Sequence, residues 1–293
     1  MSWLILVNPY SGKRDGLALA HEFKRLAESV GQSTQWVCGS TAAQSEMELG
    51  EQIKAGKVSA VVVVGGDGLV NMALQHLAQT DIPMMVVAAG TGNDFARTSG
   101  LFGKSIQELV DLMRSASPKA VDLGKVTISG RSRWFGQVMS TGFDSVVNER
   151  ANRFSKIQGK MKYNIATVLE LPKFSALDYR IVADGREINT KAMLVAVANG
   201  PTYGGGMRIC PNADRLDGLF DIMILKPVPK LEFIKVFPKV FKGTHITHPQ
   251  VEIIQAKSIS ISAVANIYAD GEAYGPLPLH AETVPQTLFT WVC

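Results

Sequence analysis

Three glycine-bearing stretches carry residue types suited to holding an anion: Asn8-Pro9-Tyr10-Ser11-Gly12-Lys13, Gly65-Gly66-Asp67-Gly68 and Gly90-Thr91-Gly92-Asn93-Asp94. Glycine permits tight turns and lets backbone N–H groups approach a phosphate. A helix that starts just after such a turn points the positive end of its dipole at the same spot. Helical spacing begins at Leu69, so Gly65, Gly66 and Gly68 read as a phosphate cradle. The pattern is neither the Gly-Lys-Ser/Thr phosphate loop nor the Gly-x-Gly-x-x-Gly dinucleotide fingerprint. Asp67 lies inside the cradle. A carboxylate beside phosphate calls for a bridging cation, because like charges repel; its other role would be to cap the following helix. A plain glycine turn explains any one loop, and three together favour a ligand.

Each stretch follows a strand-like run. Trp3–Val7, Thr34–Cys38, Ala60–Val64 and Met84–Ala89 are short and apolar, and helical spacing over Leu17–Val30, Ala42–Ala55 and Leu69–Ala78 separates them. This alternation predicts a doubly wound, mostly parallel α/β sheet, whose ligands bind at the carboxyl edge of the strands. The pattern changes near Val121. Hairpins are expected around Ser129-Gly130-Arg131 and Asp184-Gly185, with Trp134–Ser140 as one strand of the first. Met193–Ala198, Leu219–Leu225, Val251–Gln255, Ser258–Ser262 and Ala265–Ala269 add strands, interrupted by helical patches at Val146–Leu171 and Lys230–Lys242. The expected division is an α/β domain over 1–122 and a β-rich domain over 123–285, with a last strand, Gln286–Val292, returning to the first.

The loops, with Asn71 after the second and Phe95-Ala96-Arg97 after the third, resemble the diacylglycerol kinase catalytic-domain family. That family includes sphingosine and ceramide kinases and soluble bacterial lipid kinases. Asn199-Gly200 with Gly204-Gly205-Gly206, then Pro211–Gly218, then Asp270-Gly271-Glu272 continue the resemblance in the family's order over nearly the whole chain. Gly-Gly-Asp-Gly alone is shared with NAD kinases and phosphofructokinases, so the ordered set carries the likeness. The resemblance implies a nucleotide-binding α/β domain, a C-terminal β-sandwich-like domain and an active site between them that moves the γ-phosphate of ATP to a lipid hydroxyl. It implies that Gly65, Gly66, Asp67, Gly68, Leu69, Val70 and Asn71 hold the nucleotide phosphates, with Thr91, Asn93 and Asp94 contributing from the third loop. Glu272 matches the general base. Asp214, Asp217 and the backbone of Leu219 match a Mg²⁺ site, and a separate Mg²⁺ accompanies ATP through Asp67 and Asp94. The family usually reads Gly-Gly-Asp-Gly-Thr-x-Asn-Glu, whereas Leu69 and Met72 stand here for the threonine and the glutamate.

Composition bounds the alternatives. The 293 residues are 46% hydrophobic, with a net charge of only +4, too balanced for a dedicated nucleic-acid binder. Cys38, Cys210 and Cys293 lie far apart, which fits a reducing cytoplasm, and the five histidines have no metal-site spacing. The apolar N-terminal run is one strand long and reads as neither a signal peptide nor a span, so any membrane contact is expected to be peripheral. Lys226–Lys242 interleaves five lysines with Leu231, Phe233, Ile234, Phe237, Val240 and Phe241, which suits either a bilayer interface or an amphipathic helix packed on the β-domain. Glu149–Lys162 is a second such stretch. A lipid substrate at a membrane surface is therefore the expected partner, and a homodimer fits the resemblance. A catalytically weak lipid- or nucleotide-binding regulator, motivated by Leu69 and Met72, and a kinase for a soluble substrate such as NAD are the rival readings.

Overall fold

The structure, a computed structural model, describes residues 1–8, 16–154 and 160–293. Loop residues 9–13 and, in the second basic stretch, Lys156 and Ile157 lie outside the described residues. The chain divides into two compact units, Met1–Asp122 with Pro285–Cys293, and Leu123–Val284.

Unit 1 runs β1 (Ser2–Val7), α1 (Gly16–Ser29), β2 (Thr34–Val37), α2 (Ala42–Lys54), β3 (Val58–Gly65), α3 (Asp67–Leu77), β4 (Met84–Ala88), α4 (Asp94–Thr98) and α5 (Ile106–Ser115). The strands are parallel in the order β2-β1-β3-β4. β1 is buried throughout and β3 nearly so, as expected of strands covered on both faces. α1 packs with α5 and α2 with α3. The sequence reading did not find α5, although Ser105 and Glu108 form a reciprocal capping box and Ile106, Leu109, Val110 and Met113 bury one face. The tail completes this unit: Thr290 pairs in parallel with Met84, and Asp122 Oδ1 accepts from Gln286 N at 2.8 Å.

Unit 2 begins within β5 (Lys119–Ile128) and continues through β6 (Arg131–Phe135), β7 (Val138–Gly142), α6 (Phe143–Asn152), α7 (Lys160–Glu170), β8 (Leu177–Ala183), β9 (Arg186–Ala192), β10 (Leu194–Ala198), β11 (Phe220–Leu225), α8 (Lys230–Val236), β12 (Val251–Ala256), β13 (Ser258–Ser262), β14 (Asn266–Ala269), β15 (Glu272–Pro276) and β16 (Leu279–Thr290). One antiparallel sheet has the order β12-β11-β10-β7-β14-β15, and β16-β13-β8-β9 with β5 and β6 form the strands facing it. Alternate residues of the six-stranded sheet serve different cores. Val195, Val197, Ile222 and Ile224 pack against Ile181, Ile259 and Ile261 of the facing strands. Leu194, Ala196, Met223 and Leu225 meet Phe143, Val147, Phe233 and Val240 from the helical segments. Among the described residues no helix is long and apolar enough to cross a membrane.

Several boundaries differ from the sequence reading. The 146–171 patch is two helices, α6 and α7. The 230–242 patch is α8 followed by a 3₁₀ turn over Phe237–Lys242, because Pro238 supplies no N–H to continue an α-helix. Trp134–Ser140 is two strands, since the N–H groups of Gly136 and Gln137 turn aside to the Asp270 carboxylate. The last strand starts at Leu279 and ends at Thr290.

Candidate active site

In unit 1 the second and third glycine loops meet at their backbones. β3 ends at Gly65, and Gly66 is the N-cap of α3 with no side-chain cap. A Cβ on Gly90 would lie 2.3 Å from Gly66 Cα, inside any tolerable contact, so both positions require glycine for this approach. Ala89 N donates to Gly65 O at 3.0 Å, tying the strand ends together. Asp67 opens α3 but serves another helix: its Oδ1 accepts from Asp94 N at 2.8 Å and Phe95 N at 3.3 Å, the first amides of α4. A capping role for Asp67 is thus present, directed at α4. Its Oδ2 faces Gly92, where an added Cβ would sit 2.4 Å away.

Asn93 shapes the third loop. It adopts a left-handed conformation (φ 58°), and its amide both accepts from Gly90 N and donates to Gly90 O, each at 2.8 Å. Arg97 Nε donates to Gly92 O at 3.2 Å. The loop is therefore closed on itself, with Thr91 exposed and Asp94 buried. Leu69 and Val70 turn inward: both amides donate to Gly66 O, both side chains are buried, and Leu69 packs directly beneath Gly65. Asn71, the next residue, is buried as well. A cavity of about 370 Å³, not anticipated from the sequence, lies at the carboxyl end of β4, lined by Val87, Ala88, Leu101, Lys104 and Ser105 with Glu22 of α1.

In unit 2, Glu272 begins β15 and is exposed, opposite Ala269 across a turn in which Asp270 (φ 50°) and Gly271 (φ 85°) are both left-handed. Asp270 fixes that turn. Its Oδ2 accepts from Gly136 N at 2.7 Å and its Oδ1 from Gln137 N at 2.9 Å. Asn199, fully buried, donates to Gly136 O at 3.0 Å. A Cβ on Gly200 would sit 2.4 Å from Gln137 Oε1. The Asn-Gly and Asp-Gly motifs thus build one support for Glu272.

Asp214 and Asp217 are exposed, their Oδ1 atoms accepting from Leu216 N at 3.1 Å and Leu219 N at 2.9 Å. Burial raises the pKa of neighbouring Asp221, and Asp217 raises it further. Among the described residues no three His, Cys, Asp or Glu side chains cluster as a metal site. Two carboxylates and the Leu219 carbonyl nonetheless offer an all-oxygen set, and magnesium binds through one or two carboxylates while keeping several waters. The donors therefore fit that ion.

An apolar cavity in unit 2 was also missed. Phe143, Val147, Leu194, Met223, Phe233 and Phe237 line it, and Asp144, Tyr203 and His245 are among its few polar groups. Asp144 accepts from Ser140 Oγ, from Asn148 Nδ2 at 3.1 Å and from Tyr203 Oη at 3.3 Å. Desolvation outweighs these bonds and raises its carboxyl pKa. Burial lowers the pKa of His245, whose Nε2 meets Ile209 O at 3.1 Å. Gly204, Gly205 and Gly206 all have positive φ, so the chain doubles back and Tyr203 and Met207 exchange backbone hydrogen bonds at the cavity wall. A lone aspartate in the first turn of a helix gives no sequence signal of this role.

Two family models match the chain: the diacylglycerol kinase catalytic domain over residues 2–126, and the YegS C-terminal NAD kinase beta sandwich-like domain over 137–291. A curated diacylglycerol kinase of Mycobacterium tuberculosis is 39% identical over 286 residues, 97% of this chain and 92% of the relative. One from Bacillus subtilis is 26% identical, covering 94% and 90%. A crystal structure of a diacylglycerol kinase from Bacillus anthracis, 21% identical, covers 100% of this chain and 97% of its own with a TM-score of 0.73, a likeness of fold.

Proposed function

This chain belongs to the diacylglycerol kinase catalytic-domain family, and from that membership we propose that it transfers the γ-phosphate of ATP to the hydroxyl of a diacylglycerol-like lipid. The observation that carries the lipid acceptor is the apolar cavity of unit 2, whose few polar groups include the Asp144–Tyr203 pair. Such a lining takes an acyl chain and orients it by a small number of hydrogen bonds. The backbone of Gly66 and Gly68 at the start of α3 receives phosphate, and the 370 Å³ cavity beside β4 has room for the rest of the nucleotide.

Glu272 accepts the proton of the acceptor hydroxyl as that oxygen bonds to the γ-phosphorus and the bond to the ADP oxygen breaks. When bound at the nucleotide, Mg²⁺ would neutralise phosphate charge, with Asp67 and Asp94 as its candidate carboxylates; Asp214, Asp217 and the Leu219 carbonyl would hold a separate ion in unit 2. The same reading puts the protein in the cytoplasm, meeting its substrate at a membrane surface.

Labelled ATP and a panel of diacylglycerol, sphingoid base and phosphatidylglycerol in mixed micelles test the proposal, with NAD as a soluble control. Turnover on a lipid, lowered about 10²–10⁴-fold in Glu272→Gln with ATP binding intact, is expected. One observation favours a second reading. Leu69 buries an aliphatic side chain beneath Gly65 where the family usually has a threonine hydroxyl, and this motivates the reading of a weak kinase acting as a regulator. Saturable ATP binding with no turnover on any lipid selects that reading, and phosphorylated NAD overturns both.

A further inference from the structure

We propose that α8 and the 3₁₀ turn after it form a docking surface for an anionic phospholipid bilayer, an inference that rests on the lipid-kinase reading. An amphipathic helix that merely packs on its domain turns apolar residues inward and polar ones outward. This segment is apolar on both sides. Phe233 and Val240 are buried in the core beneath it. On the outside Leu231, Ile234 and Phe241 are 75%, 58% and 44% exposed.

Exposed Lys235, Lys239 and Lys242 surround these side chains, and among the described residues none of the three makes an ion pair. The one acidic residue of the segment, Glu232, is engaged by His248 Nε2 at 2.8 Å. The face therefore presents net positive charge around protruding aliphatic and aromatic groups. Those groups suit the boundary between headgroups and acyl chains, and the lysines suit an anionic leaflet. The inner face of the same segment, through Phe233, Val236, Phe237 and Val240, walls the apolar cavity. A lipid leaving the bilayer beneath this segment would cross only one layer of side chains to reach it.

Co-sedimentation with phosphatidylcholine vesicles, with and without phosphatidylglycerol, tests the surface. Two triple variants are compared: Lys235→Gln/Lys239→Gln/Lys242→Gln and Leu231→Ser/Ile234→Ser/Phe241→Ser. The lysine variant is expected to lose on the order of 100-fold in partitioning to the anionic vesicles, about fivefold per charge. The apolar variant is expected to lose about tenfold per side chain on either vesicle. Both should keep the parent's thermal melt and its turnover of a short-chain acceptor below its micellar concentration. Unchanged vesicle binding in both variants overturns the docking surface and leaves the kinase reading intact. A variant that alters the mass in light scattering but not vesicle binding also overturns it, since a second copy then covers the face. Vesicle binding that behaves as expected, with no turnover of any lipid by the parent protein, supports the surface and sinks the kinase reading alone.

Discussion

The glycine loops of unit 1 and the apolar cavity of unit 2 are built on opposite principles. The loops are made by main chain: Gly66 and Gly90 touch, Gly92 leaves room for Asp67, and Asn93 spends its amide closing the turn. The cavity is made by side chains standing on a sheet and three helices, where shape comes from Phe233 packing its ring on both Phe143 and Phe237. A main-chain site fails when a carbon is added. A side-chain site fails when carbons are removed, and it tolerates swaps that conserve volume.

That contrast has measurable edges. Phe233→Ala deletes the ring that packs on both Phe143 and Phe237, and it should cost about 3–5 kcal/mol in urea unfolding of unit 2 while ATP affinity stays near the parent's. The reverse pattern is expected for Gly90→Ala. Its new methyl strikes Gly66, so ATP binding measured by calorimetry should collapse, with a stability loss of about 1–3 kcal/mol. Asp67→Ala removes the acceptor for two α4 amides and should cost about 0.5–2 kcal/mol, and Asp67→Asn, which keeps an Oδ1, should recover most of it. If Asn fails to recover stability, the carboxylate charge rather than the cap is what matters. Met207→Leu at the cavity wall conserves volume and should shift stability by less than about 1.5 kcal/mol.

The smallest effect is a pH slope. The Asp144 carboxyl keeps its proton in the folded chain above the ordinary value of 3.8, at which the unfolded chain releases it. Its contribution to stability is therefore full below that value and is lost as pH rises through the raised pKa. Melting temperatures of Asp144→Asn followed from acid to neutral pH should decline less than those of the parent. Parallel profiles would mean that folding leaves the carboxyl's pKa unshifted.

The same contrast explains what could be read from sequence. Gly65, Gly66, Gly90 and Gly92 stand where close packing leaves little room for a Cβ, so their spacing was visible. Asp184-Gly185 was visible as a turn for a backbone reason: Asp184 and Gly185 both have positive φ. Partners distant in the chain were not. Nothing near Asp67 points to Asp94 N, 27 residues on, and nothing near Asp270 points to the amides of Gly136 and Gln137. Asp144 looks like any acid at a helix start: Ser140 and Asn148 lie four residues to either side, and Tyr203, 59 residues on, is the partner that a distant segment brings. α5 carries its own signal in the sequence, the capping box of Ser105 with Glu108, which is local and readable.

Unit 1 takes its last strand from the far end of the chain. Gln79 N donates to Thr287 O at 2.8 Å, Thr290 Oγ1 to Met84 O at 2.7 Å, and Trp291 Nε1 to Ala116 O at 2.9 Å. On the ribosome the first 122 residues emerge early but stay short of a strand until everything through Val284 has been translated. Nascent chains arrested before Pro285 should therefore be cut by protease within unit 1, and protection should arrive only once residues 285–293 have left the ribosome.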